Sequence, residues 1–219
     1  MEEITNLLSE KRLAKYKGCS REDAFQRHLY NSELAESFYQ SLSYFEIILR
    51  NKIDLVFSRY LGADWISDQH YHIGKNKNHY DDALNRIERE KGKEYLKNRD
   101  CLISELTFGY WSFLFSDSYK ELLWNKYPTM IAEIFDNPKY TLNLSKAYYQ
   151  INKIRLYRNK VFHYGSLLVM TDDMSRPEQM HNMIYSMCRS MNANKLLKHI
   201  KTIDNFDDKY RKGKKLGLI

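Results

Sequence analysis

Between residues 34 and 57 the apolar side chains Leu34, Phe38, Leu42, Phe45, Leu49, Ile53 and Phe57 recur at steps of three and four. That spacing lines one face of an α-helix, where a strand would alternate every second residue. It predicts a long helix over residues 31–61, with Gly62 as its stop. A second series, Leu144, Tyr148, Ile151, Ile154, Arg155, Arg158 and Phe162, predicts another helix over 142–164, with Gly165 placed to end it. Only 3 Pro and 8 Gly interrupt the 219 residues, too few for a many-turned β fold. The chain reads as all-α.

Shorter elements fill the rest. Ser20 is placed to cap a helix, with Asp23 as a weak capping-box partner. Residues 62–80 read as loop, followed by a charged helix near 81–91 that Gly92 interrupts. The stretch 101–115 is apolar and aromatic; its Thr107-Phe108-Gly109-Tyr110-Trp111 patch reads as packing, with Gly109 allowing close approach. Short helices are expected over 119–127 and 129–135, separated by Pro128. A last helix, 177–203, opens with Pro177 in an acceptable first-turn position. The basic run Lys209, Arg211, Lys212, Lys214 and Lys215 reads as a flexible tail over about 204–219 of a single domain spanning 1–219.

Composition then narrows the class of partner. With 43% hydrophobic and 29% charged residues the chain is not of the disordered type. A net charge of +7 favours an anionic partner, nucleic acid or a membrane surface, although it also serves solubility alone. The 18 Tyr, many beside Lys or Arg, suit stacking on unpaired bases and equally suit core packing. No run approaches the roughly 18 apolar residues of a membrane span, and the first residues lack a secretory pattern, so no membrane partner is expected. Cys19, Cys101 and Cys188 are scattered, as reduced thiols in a cytoplasmic protein would be. His70, His72 and His79, with Asp68, Asp81 and Asp82 nearby, match no strong ligand spacing, and their Lys-Asn-Lys-Asn surroundings read as exposed loop. No metal or other cofactor is expected. There is no Gly-rich phosphate loop, Cys-x-x-Cys set or Gly-x-Ser-x-Gly elbow.

The segment that carries chemistry is Ile154-Arg155-Leu156-Tyr157-Arg158-Asn159-Lys160-Val161-Phe162-His163-Tyr164-Gly165. It holds Arg-Asn-x-x-x-His near an expected helix end. Arginine supplies a permanent fork for phosphate oxygens, and histidine exchanges protons near neutral pH. Together they can promote attack of a ribose 2′-hydroxyl on the adjacent phosphate without a metal. Five positions on a straight helix leave Arg158 and His163 about 140° apart, whereas Asn159 and His163 share a face. Arg158 must therefore reach around the helix, the helix must distort near Gly165, or a second subunit must contribute. Arg176 to His181 has the same spacing but is followed by Pro177. The bare spacing is weak.

The ordered set of motifs says more. Phe45-Glu46-Ile47-Ile48-Leu49-Arg50-Asn51-Lys52-Ile53-Asp54, Leu61-Gly62-Ala63-Asp64-Trp65, Leu106-Thr107-Phe108-Gly109-Tyr110-Trp111 with Leu114-Phe115, Trp124, and Arg158-Asn159-Lys160-Val161-Phe162-His163 follow one another across most of residues 30–170. In this order they resemble the Abi-like abortive-infection family of the HEPN superfamily. That resemblance implies an HEPN-like helical bundle with additional helices. It makes Arg158 and His163 the catalytic pair and Asn159 the residue that orients the site. Arg50, Asn51, Arg155, Lys160 and Tyr164 are the expected substrate contacts. Many family members continue past the histidine with a second His and a Glu-Pro; here Tyr164-Gly165-Ser166 stands instead. The expected function is a metal-independent RNA endonuclease acting as a growth-arresting toxin in phage defence. RNA is the expected partner, with a homodimer and an antitoxin or regulatory RNA beside it. The alternatives are a non-catalytic RNA-binding or regulatory module and a purely protein-interacting one. Local similarity between Leu49-Arg50-Asn51-Lys52-Ile53 and Tyr157-Arg158-Asn159-Lys160-Val161 does not extend to a longer repeat.

Overall fold

The structure, a computed structural model, describes residues 2–169 and 176–219. Among them are twelve α-helices and no strand, so the fold is all-α. Two short helices, α1 (Glu2–Leu8) and α2 (Glu10–Leu13), precede α3 (Arg21–Ser37). Ser20 caps α3 as its sequence suggests: its hydroxyl accepts from the Asp23 N–H at 3.1 Å and donates to the Asp23 carboxylate at 2.7 Å. The single helix expected over 31–61 is instead the end of α3 followed by α4 (Tyr39–Leu61). The Ser37 and Ser41 hydroxyls donate to the carbonyls of Leu34 and Phe38, at 2.6 and 3.2 Å, a back-bonding that bends helices. The stripe survives this interruption, since all seven of its residues are buried.

Gly62 ends α4 with φ of +98°, and Gly92, at +107°, follows α5 (Lys75–Glu90). Thus α5 starts well inside the stretch expected to be loop. Asn98 and Thr107 cap α6 (Arg99–Glu105) and α7 (Phe108–Phe113). The helix expected over 119–127 is a 3-10 turn, Asp117–Tyr119, running into one π turn, Lys120–Trp124. Next come α8 (Met130–Ile134) and α9 (Leu144–Phe162). The last expected helix divides into α10 (Pro177–Ser190) and α11 (Asn194–Ile200). Asn192 turns the chain there at φ of +59°, and the Ala193 N–H closes onto the Cys188 carbonyl at 3.1 Å. Asparagine tolerates that conformation better than most residues. The basic run expected as a flexible tail is α12 (Phe206–Lys215).

The chain divides into two compact units. The first comprises Met1–Tyr44, Leu156–Ser186 and Lys195–Ile219. Its centre is aromatic: Phe38 meets Tyr157 and Phe206, each at 5.0 Å between ring centroids, and His181 stacks on Phe206 at 4.1 Å. Here α12 packs on α3. The Tyr30 hydroxyl donates to the Lys209 carbonyl, Arg27 reaches the carbonyls of Gly217 and Leu218, and Lys212 pairs with Glu33 at 2.7 Å. Half-buried Asp204 accepts from His181 at 2.8 Å and from the Tyr185 hydroxyl, anchoring the approach to α12.

The second unit comprises Phe45–Arg155 and Met187–Asn194. Its core is built on Trp65, which meets Phe57 at 4.9 Å and Trp111 at 6.3 Å, and on Trp124 stacked against Phe115. Arg99 spans both carboxylate oxygens of Asp54 at 2.6 Å, tying α6 to α4. His72 is part of this core. It stacks on Tyr80 at 3.8 Å, donates through Nε2 to the Ile66 carbonyl and accepts the Tyr110 hydroxyl at Nδ1. Burial pushes its pKa down, so it is a neutral packing residue. No helix among the described residues is long and apolar enough to cross a membrane.

Candidate functional site at the end of helix α9

The first unit contains the carboxyl-terminal turns of α9, and there the Arg-Asn-x-x-x-His motif ends the helix. His163 is the first residue beyond Phe162, its N–H still donating to the Asn159 carbonyl at 2.9 Å. The chain then reverses. The Tyr164 N–H donates to the Val161 carbonyl and the Gly165 N–H to the Lys160 carbonyl at 2.7 Å, the paired bonds of a Schellman cap. The left-handed position falls on Tyr164, φ of +57°, and not on the glycine expected to stop the helix. Gly165 serves a different need: a Cβ there would lie 2.5 Å from Lys160 Cγ and 2.9 Å from the Lys160 carbonyl oxygen. A tyrosine held left-handed costs about 1–2 kcal/mol. In this case it buries little in return, because its side chain is 77% exposed.

Three side chains hold the cap. Asn31, buried on α3, donates to the Gly165 carbonyl at 3.2 Å and accepts from the Leu167 N–H at 2.6 Å. Lys160 donates to the Val169 carbonyl at 3.1 Å, and Arg12 reaches the Tyr164 carbonyl at 3.4 Å. Lys160, expected to contact substrate, is therefore engaged in holding the segment behind the helix. Burial, with a smaller contribution from Lys15, lowers its pKa. Asn31 was not singled out from sequence. The signal was there, a polar residue three positions before Leu34 on the buried face.

Arg158 lies along the helix with its guanidinium carbon 4.6 Å from the centre of the Phe162 ring, a stacked cation–π contact. The charge is thereby carried one turn toward the helix end, to the residue adjoining His163. Asn159 is half-buried and His163 is exposed. Beside them, wholly within this unit, is a mostly apolar hollow of about 410 Å³ lined in part by His28, Glu36, Tyr39, Phe162 and Tyr164. Tyr39 and Phe162 meet at 6.3 Å between centroids and, like Tyr164, are exposed. Burial, then the nearby Arg12, lowers the His28 pKa, which keeps that ring neutral at physiological pH.

The other expected contacts, Arg50, Asn51 and Arg155, belong to the second unit. Arg50 is half-buried in the middle of α4, its Nε shielded and without a hydrogen-bond partner, and Asn51 is exposed. Arg155 donates through Nε and Nη2 to Asn152 Oδ1, at 3.1 and 2.8 Å. Among the described residues no group of three or more His, Cys, Asp or Glu is arranged to hold a metal ion. The three cysteines are free thiols. What the end of α9 can do chemically follows from these residues alone: present a cation and a proton-exchanging ring to a phosphate, beside aromatic faces that suit a base. The chain matches no family model, no curated protein and no solved structure.

Proposed function

We propose that this chain is a metal-independent RNA endonuclease of the HEPN type, acting as a growth-arresting toxin in abortive-infection defence. One observation carries the reading: Arg158 is laid over Phe162, so that its charge is delivered to the helix end where His163 stands exposed. The aromatic hollow adds a surface on which unpaired bases stack, with Glu36 as an acceptor for base amino groups.

In this mechanism the ribose 2′-oxygen attacks the adjacent phosphorus, its proton passing to a base, and the 5′-oxygen of the next nucleotide leaves as it takes up a proton. The products are a 2′,3′-cyclic phosphate and a 5′-hydroxyl. His163 performs one of the two proton transfers, worth typically about 10²–10⁴ in rate. Arg158 stabilises the charge gathering on the phosphoryl oxygens. In a homodimer the second copy's histidine performs the other transfer.

A second reading has its own support. Among the described residues no hydrogen bond holds the His163 ring, whereas a catalytic histidine is commonly oriented by a third group. A module that binds RNA without cutting needs no such orientation. Incubating wild-type, Arg158→Ala and His163→Ala proteins with total cellular RNA in EDTA, then mapping the new ends, separates the two. Cleavage by wild type alone, leaving cyclic phosphates, is expected. A salt-sensitive gel shift with no new ends assigns the binding module instead.

A further inference from the structure

The second unit holds a small polar pocket of about 130 Å³, formed where α5, α7 and α9 converge. Lys75 stands at its rim on the first turn of α5, His79 one turn further on, and Tyr148, Asn152 and Arg155 come from α9. No carboxylate lines it. Among the described residues neither Lys75 nor Arg155 forms an ion pair, and the two hydrogen bonds to Asn152 leave most of the Arg155 donors unused. The amino end of α5 adds positive potential at Lys75.

His79 is held in a defined orientation. The Thr107 hydroxyl accepts the Tyr110 N–H as the cap of α7 and forms a second hydrogen bond with the ring at His79 Nδ1, 3.3 Å away. Gly109 makes room for it: a Cβ there would lie 3.0 Å from both Nε2 and Cε1.

We propose that this pocket binds a phosphate group, with Lys75 and Arg155 as its charged donors and His79 as a donor that gains a proton when the anion arrives. The size fits a tetrahedral oxyanion and falls below the roughly 300–1,000 Å³ of sites that enclose small molecules. Burial is the main cause that lowers the His79 pKa in the free protein; exposed Asp82 opposes it, and Arg155, Arg86 and Lys75 each add a smaller lowering. An anion seated among these groups reverses the balance, so affinity rises as pH falls. The site lies in the other unit from His163 and does not depend on the nuclease reading.

The test uses the full chain. Inorganic phosphate is titrated by calorimetry into wild type and into Lys75→Gln, Arg155→Gln and the double variant, each checked for helical content. The His79 ring, assigned by its loss in His79→Gln, is followed by NMR against pH with and without sulfate, which carries no proton in this range. Saturable phosphate binding, weakened about tenfold or more in each single variant, is expected, with His79 titrating at higher pH when sulfate is present. Unchanged binding in the folded double variant, absence of saturable binding, or an unmoved His79 titration overturns the proposal. Oligoribonucleotides with and without a 5′-phosphate identify the source. An Arg155-dependent preference for the phosphorylated end marks a terminal phosphate, and equal Arg155-dependent affinity marks the RNA backbone. Phosphate binding without any Arg155-dependent RNA binding marks a free anion. Because the readouts are binding and titration, they report on this pocket whether or not the protein cleaves RNA.

Discussion

Leu49-Arg50-Asn51-Lys52-Ile53 and Tyr157-Arg158-Asn159-Lys160-Val161 place the same Arg-Asn-Lys between buried residues, yet they end in different situations. The first lies in the middle of α4, where the backbone is fully committed to its helix; Lys52 pairs with Asp136 at 2.7 Å. The second lies in the last turns of α9, where Arg158 extends over Phe162, Lys160 ties down the following segment and an exposed histidine comes next. Identical tripeptides thus differ in what the helix does immediately after them. A helix end turns the chain, and a helix interior does not.

The sharpest way to break this comparison is to truncate both arginines. Arg158→Ala is expected to lower the initial rate of RNA cleavage by about 10²–10³, and Arg50→Ala by less than about tenfold. Equal losses in two folded variants would remove the distinction. Gly165→Ala comes next, since the new methyl meets Lys160 at its Cγ and its carbonyl oxygen. It should cost about 2 kcal/mol, a fall in Tm of roughly 4–8 °C, and should lower cleavage with it because the cap carries His163. The smallest effect has the opposite sign. Tyr164→Gly relieves the left-handed strain and should raise Tm by roughly 2–4 °C. It should also weaken binding of single-stranded RNA if the exposed ring stacks on a base, which a fluorescence titration against wild type measures.

Much of the fold was legible where a local rule decides it. The stripe from Leu34 to Phe57 is buried throughout, Ser20 caps α3, and Gly62 and Gly92 take positive φ. The break at Phe38 was not legible, because nothing in the identity of Ser37 or Ser41 says that its hydroxyl will bond backward. For α12 the signal was present but outweighed. Phe206, Tyr210 and Gly213 are spaced for one helical face, and the surrounding lysines and aspartates read as a solvated run. The stop at Tyr164 misled for a related reason, since the glycine beside it is required by close approach to Lys160 and not by its dihedral angle.

The candidate site divides in the same way. Arg158, Asn159 and His163 are neighbours in sequence, so their common helix end could be anticipated. The pocket around His79 and Arg155 could not, because three elements far apart in the chain converge there and no spacing encodes it. His79 could be considered only as a stray metal ligand until Thr107 and Gly109 were seen beside it.

Asn31 bonds the Gly165 carbonyl across 134 residues of chain and the Leu167 N–H across 136. Loops of that length close late, after local helices have formed. The turn that presents His163 therefore cannot take its final shape from α9 alone: it waits for α3 to find a segment 134 residues further along the chain. A fragment lacking either partner would carry every residue of the motif and still lack the support that aims it.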